Sequence, residues 1–228
     1  MLSAIILAAG QGRRLKTVVP KPLIKIGKLP VIVYSLGTLD KHPGIDEIIV
    51  VVNSRNQRAI KQLINRYSFK KIKGLVLGGR RRQDSVYNGL KIVNGNSRWV
   101  LIHDSARPFI DRESITNVIA AARKIGCAIV AVKPKATIKL SCRNNTVAET
   151  LNRDNLWEAQ TPQVFKKELI LEAYKKYSTG NVTDDASLVE KLGKQVLLVQ
   201  GKYENIKITT KEDLLFAELI AKRCKHAI

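Results

Sequence analysis

The chain contains few cysteines, few aromatic residues and no long apolar segment. Its three cysteines, Cys127, Cys142 and Cys224, match no zinc-binding spacing, and their odd number argues against a disulfide framework. Aromatic residues make up 5% of the sequence, and none alternates with the basic clusters as a base-stacking surface requires. No apolar run approaches the ~20 residues that cross a bilayer. We therefore expect a protein of the reducing cytoplasm with no membrane partner.

Acidic residues are also scarce, since 19 of them face 40 lysines and arginines, which gives a net charge of +21. Such a charge suggests a polyanionic partner, and nucleic acid is one candidate. The basic residues are spread along the whole chain, however, with denser clusters at 70–73, 80–82 and 222–225. We therefore favour a solvated lysine-rich surface together with phosphorylated small-molecule substrates. A nucleic-acid-binding protein remains the alternative from another functional class.

Short apolar runs alternate with amphipathic stretches through most of the 228 residues, of which 45% are apolar. Strands are predicted at 3–7, 47–52, 74–77, 99–103, 127–132 and 195–199, and helices around 31–39, 60–64, 86–93, 115–122 and 214–220. Strands separated by helices predict an α/β protein with a doubly wound, mostly parallel sheet, in a single domain over residues 1–228. Ligands of such folds bind beyond the carboxyl ends of the strands.

Residues 133–157 interrupt this alternation. Two β-prone runs flank the polar stretch Arg143-Asn144-Asn145, a pattern that predicts a hairpin projecting from the main sheet. An isolated hairpin is only marginally stable in water. We therefore expect this arm to pack on a second subunit.

A candidate phosphate-binding loop follows the first strand. Small residues and glycines at 8–12 allow a ligand to approach the backbone, and Arg14 and Lys21 add fixed positive charge. The loop has no Gly-Lys-Ser/Thr ending of a Walker A motif, and Leu15 stands where the dinucleotide fingerprint has its third glycine. A plain turn with incidental cations would explain the two glycines alone. Together with the cations, the stretch predicts polyphosphate binding.

Asp104 directly follows the predicted strand at 99–103. Mg²⁺ usually takes one or two protein carboxylates together with substrate phosphates, and Asp104 suits that role. An aspartate after a strand is also a common turn or cap residue. His103 is interpreted as a packing residue rather than a general base, because phosphoryl and nucleotidyl transfer need no nucleophile–base triad.

The glycine pair Gly78-Gly79 follows another predicted strand. Bare backbone there suits recognition of a base edge, and Ser85 adds a hydroxyl group. A plain turn between strand and helix explains much of the same stretch. In either case Asp84 or Ser85 is predicted to cap a helix that begins at Val86.

Two later stretches have a structural and a functional interpretation. Lys207 is predicted on a short strand that enters the site, where it suits a phosphate, although alone it is an ordinary surface lysine. Residues 183–190 predict a capped helix with acidic residues in its first turn, which we interpret as structural first and as support for the site second.

Taken together, these motifs resemble the 2-C-methyl-D-erythritol 4-phosphate cytidylyltransferase family of the non-mevalonate isoprenoid pathway. The segments that carry the resemblance are Ala8-Ala9-Gly10-Gln11-Gly12-Arg13-Arg14, Pro20-Lys21, Gly78-Gly79, Arg82-Gln83-Asp84-Ser85-Val86, 100–108, Thr137-Ile138-Lys139, Arg153, 156–163, 183–187 and Asn205-Ile206-Lys207. They occur in the family's order and span nearly the whole chain.

The resemblance implies a Rossmann-like domain that transfers CMP from CTP to methylerythritol phosphate, with the arm at about 133–157 clasping its partner in a homodimer. It implies that Arg14, Lys21 and Lys207 are catalytic cations at the phosphates and that Asp104 binds Mg²⁺. The substrate-binding residues it implies are Ala8, Ala9, Gly10, Gly12, Gly79, Arg82, Ser85, Arg107, Thr137, Arg153 and Thr161. Of these, Thr137 and Arg153 would reach the acceptor from the partner's arm, aided by Arg107 and Thr161.

The sequence departs from the family pattern at four positions. Ala136 and Asn152 stand in the arm where aspartate is usual, Pro22 replaces glutamine, and Ser105 replaces alanine. The two arm positions concern the acceptor, so a ribitol-5-phosphate cytidylyltransferase of the same fold is the nearest alternative. A regulatory relative that binds nucleotide without turnover is a further alternative, against which the intact set of Arg14, Lys21, Asp104 and Lys207 argues.

Overall fold

The computed structural model describes residues 1–10, 12–15, 17–177, 179–180 and 182–223. Its strands are β1 (Leu2–Leu7), β2 (Lys25–Ile26), β3 (Leu29–Pro30), β4 (Glu47–Val52), β5 (Ile72–Leu77), β6 (Trp99–Asp104), β7 (Cys127–Val132), β8 (Ile138–Ser141), β9 (Val147–Leu151), β10 (Glu158–Lys166) and β11 (Leu197–Gln200). Its helices are α1 (Val31–Lys41), α2 (Gln57–Tyr67), α3 (Arg82–Ile92), α4 (Arg112–Ile125), α5 (Lys167–Tyr177), α6 (Ala186–Lys191) and α7 (Lys211–Arg223). Each strand and helix predicted from the alternating pattern is present, with shifts of up to three or four residues at the ends.

Seven strands form the central sheet in the order β11-β7-β10-β6-β1-β4-β5. Strand β1 pairs in parallel with β4 and β6, and β4–β5 and β7–β11 are also parallel. The predicted α/β fold with a mostly parallel sheet is thus confirmed. Strand β10 was not predicted; it runs antiparallel between β6 and β7. Its sequence gives little strand signal, because polar residues and Pro162 interrupt the apolar pattern.

Helices cover both faces of this sheet, as the alternation of side chains along β1 illustrates. Ala4 and Ile6 pack in a cluster with side chains from α1, α2 and α4, whereas Ile5 packs in a second cluster with side chains from α3, α5 and α6. Successive residues of a strand point to opposite faces, so a fully buried strand such as β4 contributes to both clusters. The two clusters hold the carboxyl ends of the parallel strands in place.

Helix α3 begins earlier than predicted, and the predicted cap at Asp84 or Ser85 was wrong. The helix starts at Arg82 with Arg81 as its N-cap. Asp84 lies in the first turn, and its carboxylate accepts a hydrogen bond from the backbone N–H of Arg81 at 3.0 Å. This is the reciprocal half of a capping box, which stabilises the helix start in the same way as a cap side chain.

Two other local predictions also need correction. The acidic residues Asp184 and Asp185 precede α6 and do not lie in its first turn. Residues 201–210, all of which the structure describes, contain no strand, so Lys207 lies on an extended loop. That loop is held to the main body by a hydrogen bond from the Ile208 N–H to the Ala106 carbonyl at 2.8 Å.

The predicted hairpin arm is confirmed. Strands β8 and β9 pair in antiparallel fashion as a separate two-stranded sheet. Residues 139–150 are all exposed, and they include Leu140 and Val147.

Among the helices that the structure describes, none is long and apolar enough to span a membrane.

Candidate active site

A cavity of about 600 Å³ opens at the carboxyl ends of β1 and β6. The side chains and backbone that line it include Ala8, Ala9, Gly10, Gly12, Lys21, Gly79, Arg80, Arg81, Arg82, Ser85, Asp104 and Lys207. Its volume is in the range of small-molecule sites, and its position follows the rule for ligands of doubly wound sheets. Ten of these positions are sequence-predicted site residues outside the acceptor set, whereas Arg80 and Arg81 were interpreted as solvated surface.

Two asparagines that follow β4 hold the backbone of the loop after β1 by hydrogen bonds. The side-chain amide of Asn56 donates to the Ala8 carbonyl at 2.8 Å, and that of Asn53 donates to the Ala9 carbonyl at 3.0 Å. The two asparagines also accept hydrogen bonds from each other's backbone N–H groups at 2.9 and 3.0 Å. No sequence pattern singles them out, although two amides three residues apart at the end of a buried strand give a faint signal. They hold the loop backbone where it borders the cavity.

The glycine pair after β5 is required by close packing. A Cβ atom at Gly78 would overlap the side chains of Ala9 and Ser85, and one at Gly79 would overlap Asp84. The Ser85 hydroxyl accepts a hydrogen bond from the Gly79 N–H at 3.1 Å and donates to the Arg81 carbonyl at 3.2 Å. Ser85 therefore shapes this wall of the cavity.

Asp104 lies at the end of β6 between two cations. Its Oδ1 is 3.1 Å from Nε of Arg82, and its Oδ2 is 2.5 Å from Nζ of Lys207. Burial alone would raise the pKa of Asp104, but the positive charges of Arg82 and Lys207 outweigh it and hold the pKa well below its usual range. The carboxylate is therefore ionised throughout the physiological pH range.

Lys21 enters the cavity from the short 3₁₀ turn Lys21–Leu23. Its Nζ donates a hydrogen bond to the Ile208 carbonyl at 2.8 Å, which ties it to the loop that carries Lys207. Burial lowers the pKa of Lys21, and the positive charges of Lys207 and Arg14 lower it further. Arg14 is exposed and does not line the cavity, but its charge acts on Lys21. An incoming polyanion would relieve this mutual repulsion.

Four predicted acceptor residues lie outside the cavity lining. Thr137 and Arg153 are exposed on the arm, where Nη1 of Arg153 donates to the Lys135 carbonyl at 3.0 Å. Arg107 donates from Nη1 to the Asn205 carbonyl at 2.7 Å, and burial lowers its pKa. Thr161 is buried behind Asp104. Its hydroxyl oxygen accepts a hydrogen bond of 3.1 Å from the backbone N–H of Asp104.

His103 is fully buried, in agreement with its predicted packing role. Its Nδ1 shares a hydrogen bond of 3.0 Å with the Thr161 hydroxyl, and its Nε2 lies 3.0 Å from the Arg107 carbonyl. Because a carbonyl only accepts, Nε2 carries a proton. Burial lowers the pKa of His103 to about 4, which keeps it neutral at physiological pH.

Asp104 supplies the carboxylate for a metal ion in the cavity. Among the described residues, no group of three or more histidine, cysteine, aspartate or glutamate side chains is placed to hold a metal ion. Of the described residues that line the cavity, Asp104 is the one that carries a carboxylate, and it lies at the ion-paired centre. This donor set fits an ion such as Mg²⁺, which accepts one protein carboxylate when phosphate oxygens and water complete its shell.

Comparisons with known proteins agree in the family that they identify. The family model for 2-C-methyl-D-erythritol 4-phosphate cytidylyltransferase matches residues 2–223. A protein of that name from Shouchella clausii is 47% identical over 228 residues, which cover 99% of each chain. Another, from Clostridium tetani, is 45% identical and covers 96% of this chain and 90% of its own.

Solved structures agree with this result. The crystal structure of 4-diphosphocytidyl-2C-methyl-D-erythritol synthase from Anaerococcus prevotii has a TM-score of 0.87 and 38% identity, covering 97% of this chain and 96% of its own. That of 2-C-methyl-D-erythritol 4-phosphate cytidylyltransferase from Thermus thermophilus has a TM-score of 0.77 and 29% identity, covering 96% and 98%.

Proposed function

This chain belongs to the 2-C-methyl-D-erythritol 4-phosphate cytidylyltransferase family, and we propose that the cavity at the ends of β1 and β6 is the site of its reaction. The protein transfers CMP from CTP to 2-C-methyl-D-erythritol 4-phosphate in isoprenoid precursor synthesis. The products are 4-diphosphocytidyl-2-C-methyl-D-erythritol and pyrophosphate. The observation that supports this location best is the joined set of Lys21, Lys207, Arg82 and Asp104 within one cavity.

The proposed mechanism rests on positioning and charge. A phosphate oxygen of the acceptor attacks the α-phosphorus of CTP in line, the bond between the α-phosphorus and the bridging oxygen breaks, and pyrophosphate leaves. Lys21, Lys207 and Arg14 stabilise the negative charge that develops on the phosphates. Lys21 is suited to this role because the Ile208 carbonyl holds its ammonium group in place before substrate binds. No covalent enzyme intermediate forms.

Asp104 is the proposed ligand of Mg²⁺, which when bound would neutralise charge on the triphosphate. Lys207 occupies Oδ2 of Asp104 in the structure, and a triphosphate offers its ammonium group a stronger anionic partner. Exchange of Lys207 from the carboxylate to the phosphates would free Oδ2.

The nucleoside is proposed to lie against the small-residue wall of the cavity. Ala8, Ala9, Gly79 and Ser85 leave room there for a base and a ribose, and Gly10 and Gly12 continue this bare backbone towards Lys21. Gly12 adopts a left-handed backbone conformation with φ of 62°, which favours glycine. Substitution of this glycine would strain the turn that brings Lys21 to the phosphates.

A homodimer is proposed to complete the acceptor site, with Thr137 and Arg153 contributed by the partner's arm. Exposed apolar side chains on the arm, Leu140 and Val147, support its burial against another surface. Thr161 would contribute indirectly, since its hydroxyl already holds the backbone of Asp104. We also propose a cytoplasmic location, as the cysteine usage predicts.

Pyrophosphate release tests the proposed function and the acceptor together. With CTP and Mg²⁺, the protein is expected to release pyrophosphate when methylerythritol phosphate is added, and much less with ribitol 5-phosphate. Equal or faster turnover of ribitol 5-phosphate would contradict the assignment of the acceptor. Binding of CTP without turnover of either polyol phosphate would favour the regulatory alternative.

A further inference from the structure

Asp185 is a buried carboxylate close to the cavity that the mechanism does not use. It precedes α6 and is 0% exposed. Its Oδ1 accepts a hydrogen bond of 2.6 Å from the Tyr174 hydroxyl, and its Oδ2 lies 2.8 Å from Nη2 of Arg82. Burial of a charged carboxylate is costly unless it is paired, and breaking such a pair is strongly destabilising. The pairing with Arg82 offsets the cost of burying Asp185, so the two residues act as one charged unit.

Arg82 joins this buried carboxylate to the one at the cavity. Its Nη2 pairs with Asp185 while its Nε lies 3.1 Å from Oδ1 of Asp104. A guanidinium group is planar and rigid, so the ion pair that Nη2 makes with Asp185 also restricts the position of the Nε–H group that donates to Asp104. The anchor is itself held, because the Tyr174 ring stacks on Tyr87 of α3 with centroids 5.9 Å apart.

The two cations that hold Asp104 differ in their freedom to move. Lys207 lies on a loop, and its side chain is 39% exposed. Its charge is a compact ammonium group at the end of a flexible chain. The side chain of Arg82 is 26% exposed and is tied at its other edge to a carboxylate that has no access to solvent. An anionic ligand in the cavity can therefore attract Lys207 more readily than Arg82.

We propose that Asp185, supported by Tyr174, is a positioning residue that acts through Arg82 to keep Asp104 oriented for Mg²⁺ bound with the nucleotide. Oδ1 of Asp104 stays with Arg82, and Oδ2 becomes available when Lys207 moves to the phosphates. Without Asp185, Arg82 is free to place two of its N–H groups on Asp104 and to compete for both oxygens. This inference rests on the proposed role of Asp104 as the magnesium ligand.

The test compares CTP binding with and without Mg²⁺ by isothermal titration calorimetry, in the full-length protein. Asp185→Asn keeps the side-chain shape and an acceptor for Tyr174 but removes the charge that anchors Arg82. We expect the gain in CTP affinity that Mg²⁺ provides to fall about tenfold, in the range found when groups behind metal ligands are replaced. Tyr174→Phe, which keeps the stacked ring, is expected to cause a smaller reduction in the same direction.

Ser187→Ala is the matched control. It removes the hydrogen bond of 2.8 Å to the Asp184 carbonyl at the start of the same helix and leaves Asp185 and Arg82 unchanged. A double-mutant cycle adds a second check: in an Arg82→Gln background, Asp185→Asn is expected to change the Mg²⁺ effect by less than about twofold, because the residue acts through Arg82.

An unchanged Mg²⁺ effect in folded Asp185→Asn would overturn the inference, as would an equal reduction in Ser187→Ala. If Asp185→Asn does not fold, Tyr174→Phe decides by the same measurement. A wild-type protein whose CTP affinity is independent of Mg²⁺ would also overturn it. In contrast, Mg²⁺-dependent CTP binding without turnover of methylerythritol phosphate would refute the proposed function and leave this inference standing.

Discussion

At the residue scale, the charges of the cavity are held in place by neighbours that have no role in chemistry. Lys21 is bound to a backbone carbonyl, Arg82 to Asp185, and Asp104 to the hydroxyl of Thr161 through its backbone. Charges fixed in this way need little reorganisation when the transition state forms, which is the basis of electrostatic catalysis. The stabilisation that each cation gives to the transition state therefore depends on how rigidly its neighbours hold it.

Lys21→Ala is expected to reduce kcat by ~10²–10³, the size of effect found for one preorganised electrostatic group. The matched control is Lys25→Ala, because Lys25 is an exposed lysine four residues away that does not line the cavity. Initial rates of pyrophosphate release measure both. Unchanged turnover in Lys21→Ala would refute the proposed mechanism.

His103 makes the stability of the fold depend on pH. Burial lowers its pKa in the folded protein to about 4, against 6.5 for a free histidine. The unfolded chain therefore binds more protons below pH 6.5, so the contribution of His103 to stability is complete above pH 6.5 and is lost as the pH falls towards 4. The free energy of unfolding should fall by up to about 3 kcal/mol across this window.

Urea unfolding at pH 7 and at pH 4.5 tests this prediction in wild type and His103→Gln. The variant is expected to be less stable at pH 7 and to show a weaker decrease towards pH 4.5. Burial also lowers the pKa of His42, so the difference between the two proteins, and not the wild-type slope alone, is the relevant quantity. If the free energy of unfolding falls by the same amount between pH 7 and pH 4.5 in both proteins, the assignment to His103 is contradicted.

The sequence predicts the site residues that lie in local motifs but not those that hold them. Lys21, Gly79 and Asp104 follow strands or glycine loops, Lys207 belongs to the motif Asn205-Ile206-Lys207, and all four line the cavity. Asn56 was missed, and the supporting role expected for residues 183–190 was not assigned to Asp185 in particular. The partners of both residues are far away in sequence: Asn56 binds Ala8, and Asp185 pairs with Arg82. Such contacts arise only when the sheet brings strand ends together.

At the scale of elements, the segment after the arm shows the same limit. Strand β10 is nine residues long, but polar residues and Pro162 interrupt the apolar pattern from which a strand is predicted. The alternation of strands and helices in the rest of the chain, moreover, predicts only parallel strands. Its position between β6 and β7 places Thr161 directly behind Asp104. The arm, in contrast, was predictable because its two strands and turn are contiguous.

The arm presents two apolar side chains that a partner subunit is expected to cover. Leu140 is 51% exposed on β8, and Val147 is 61% exposed on β9. Leu140→Lys should therefore weaken the proposed dimer and reduce turnover, because burial of a charge in an interface is costly. Lys139→Gln, at the adjacent position on the opposite face of β8, is the control. Light scattering after size-exclusion chromatography measures the mass, and a wild-type monomer would contradict the dimer.

At the scale of the whole molecule, the sheet collects charges from four distant parts of the chain. Lys21 follows β1, Arg82 follows β5, Asp104 ends β6, and Lys207 arrives on the loop before α7. The alternation of strands and helices predicts that such residues share one edge of the sheet. The strand order, which decides which of them become neighbours, is not contained in that alternation, since it depends on where β10 inserts.

The net charge of +21 predicts a different response to salt for nonspecific and specific ligands. Exposed charges are screened over about 8 Å at physiological ionic strength, and binding to nucleic acid weakens steeply as counterions compete. We expect fluorescence anisotropy to show binding of duplex and single-stranded oligonucleotides at low salt and its loss by about 150 mM salt.

CTP binding should persist over the same range, with KM rising only a few-fold, because the cavity pairs its cations with buried Asp104 and Asp185, where screening is weaker. Initial rates of pyrophosphate release at each salt concentration measure this KM. Tight oligonucleotide binding that survives physiological salt would instead support a nucleic-acid-binding role for the basic surface. A parallel loss of oligonucleotide and CTP binding would show that the cavity's cations act only as part of the general surface charge, which contradicts their proposed placement.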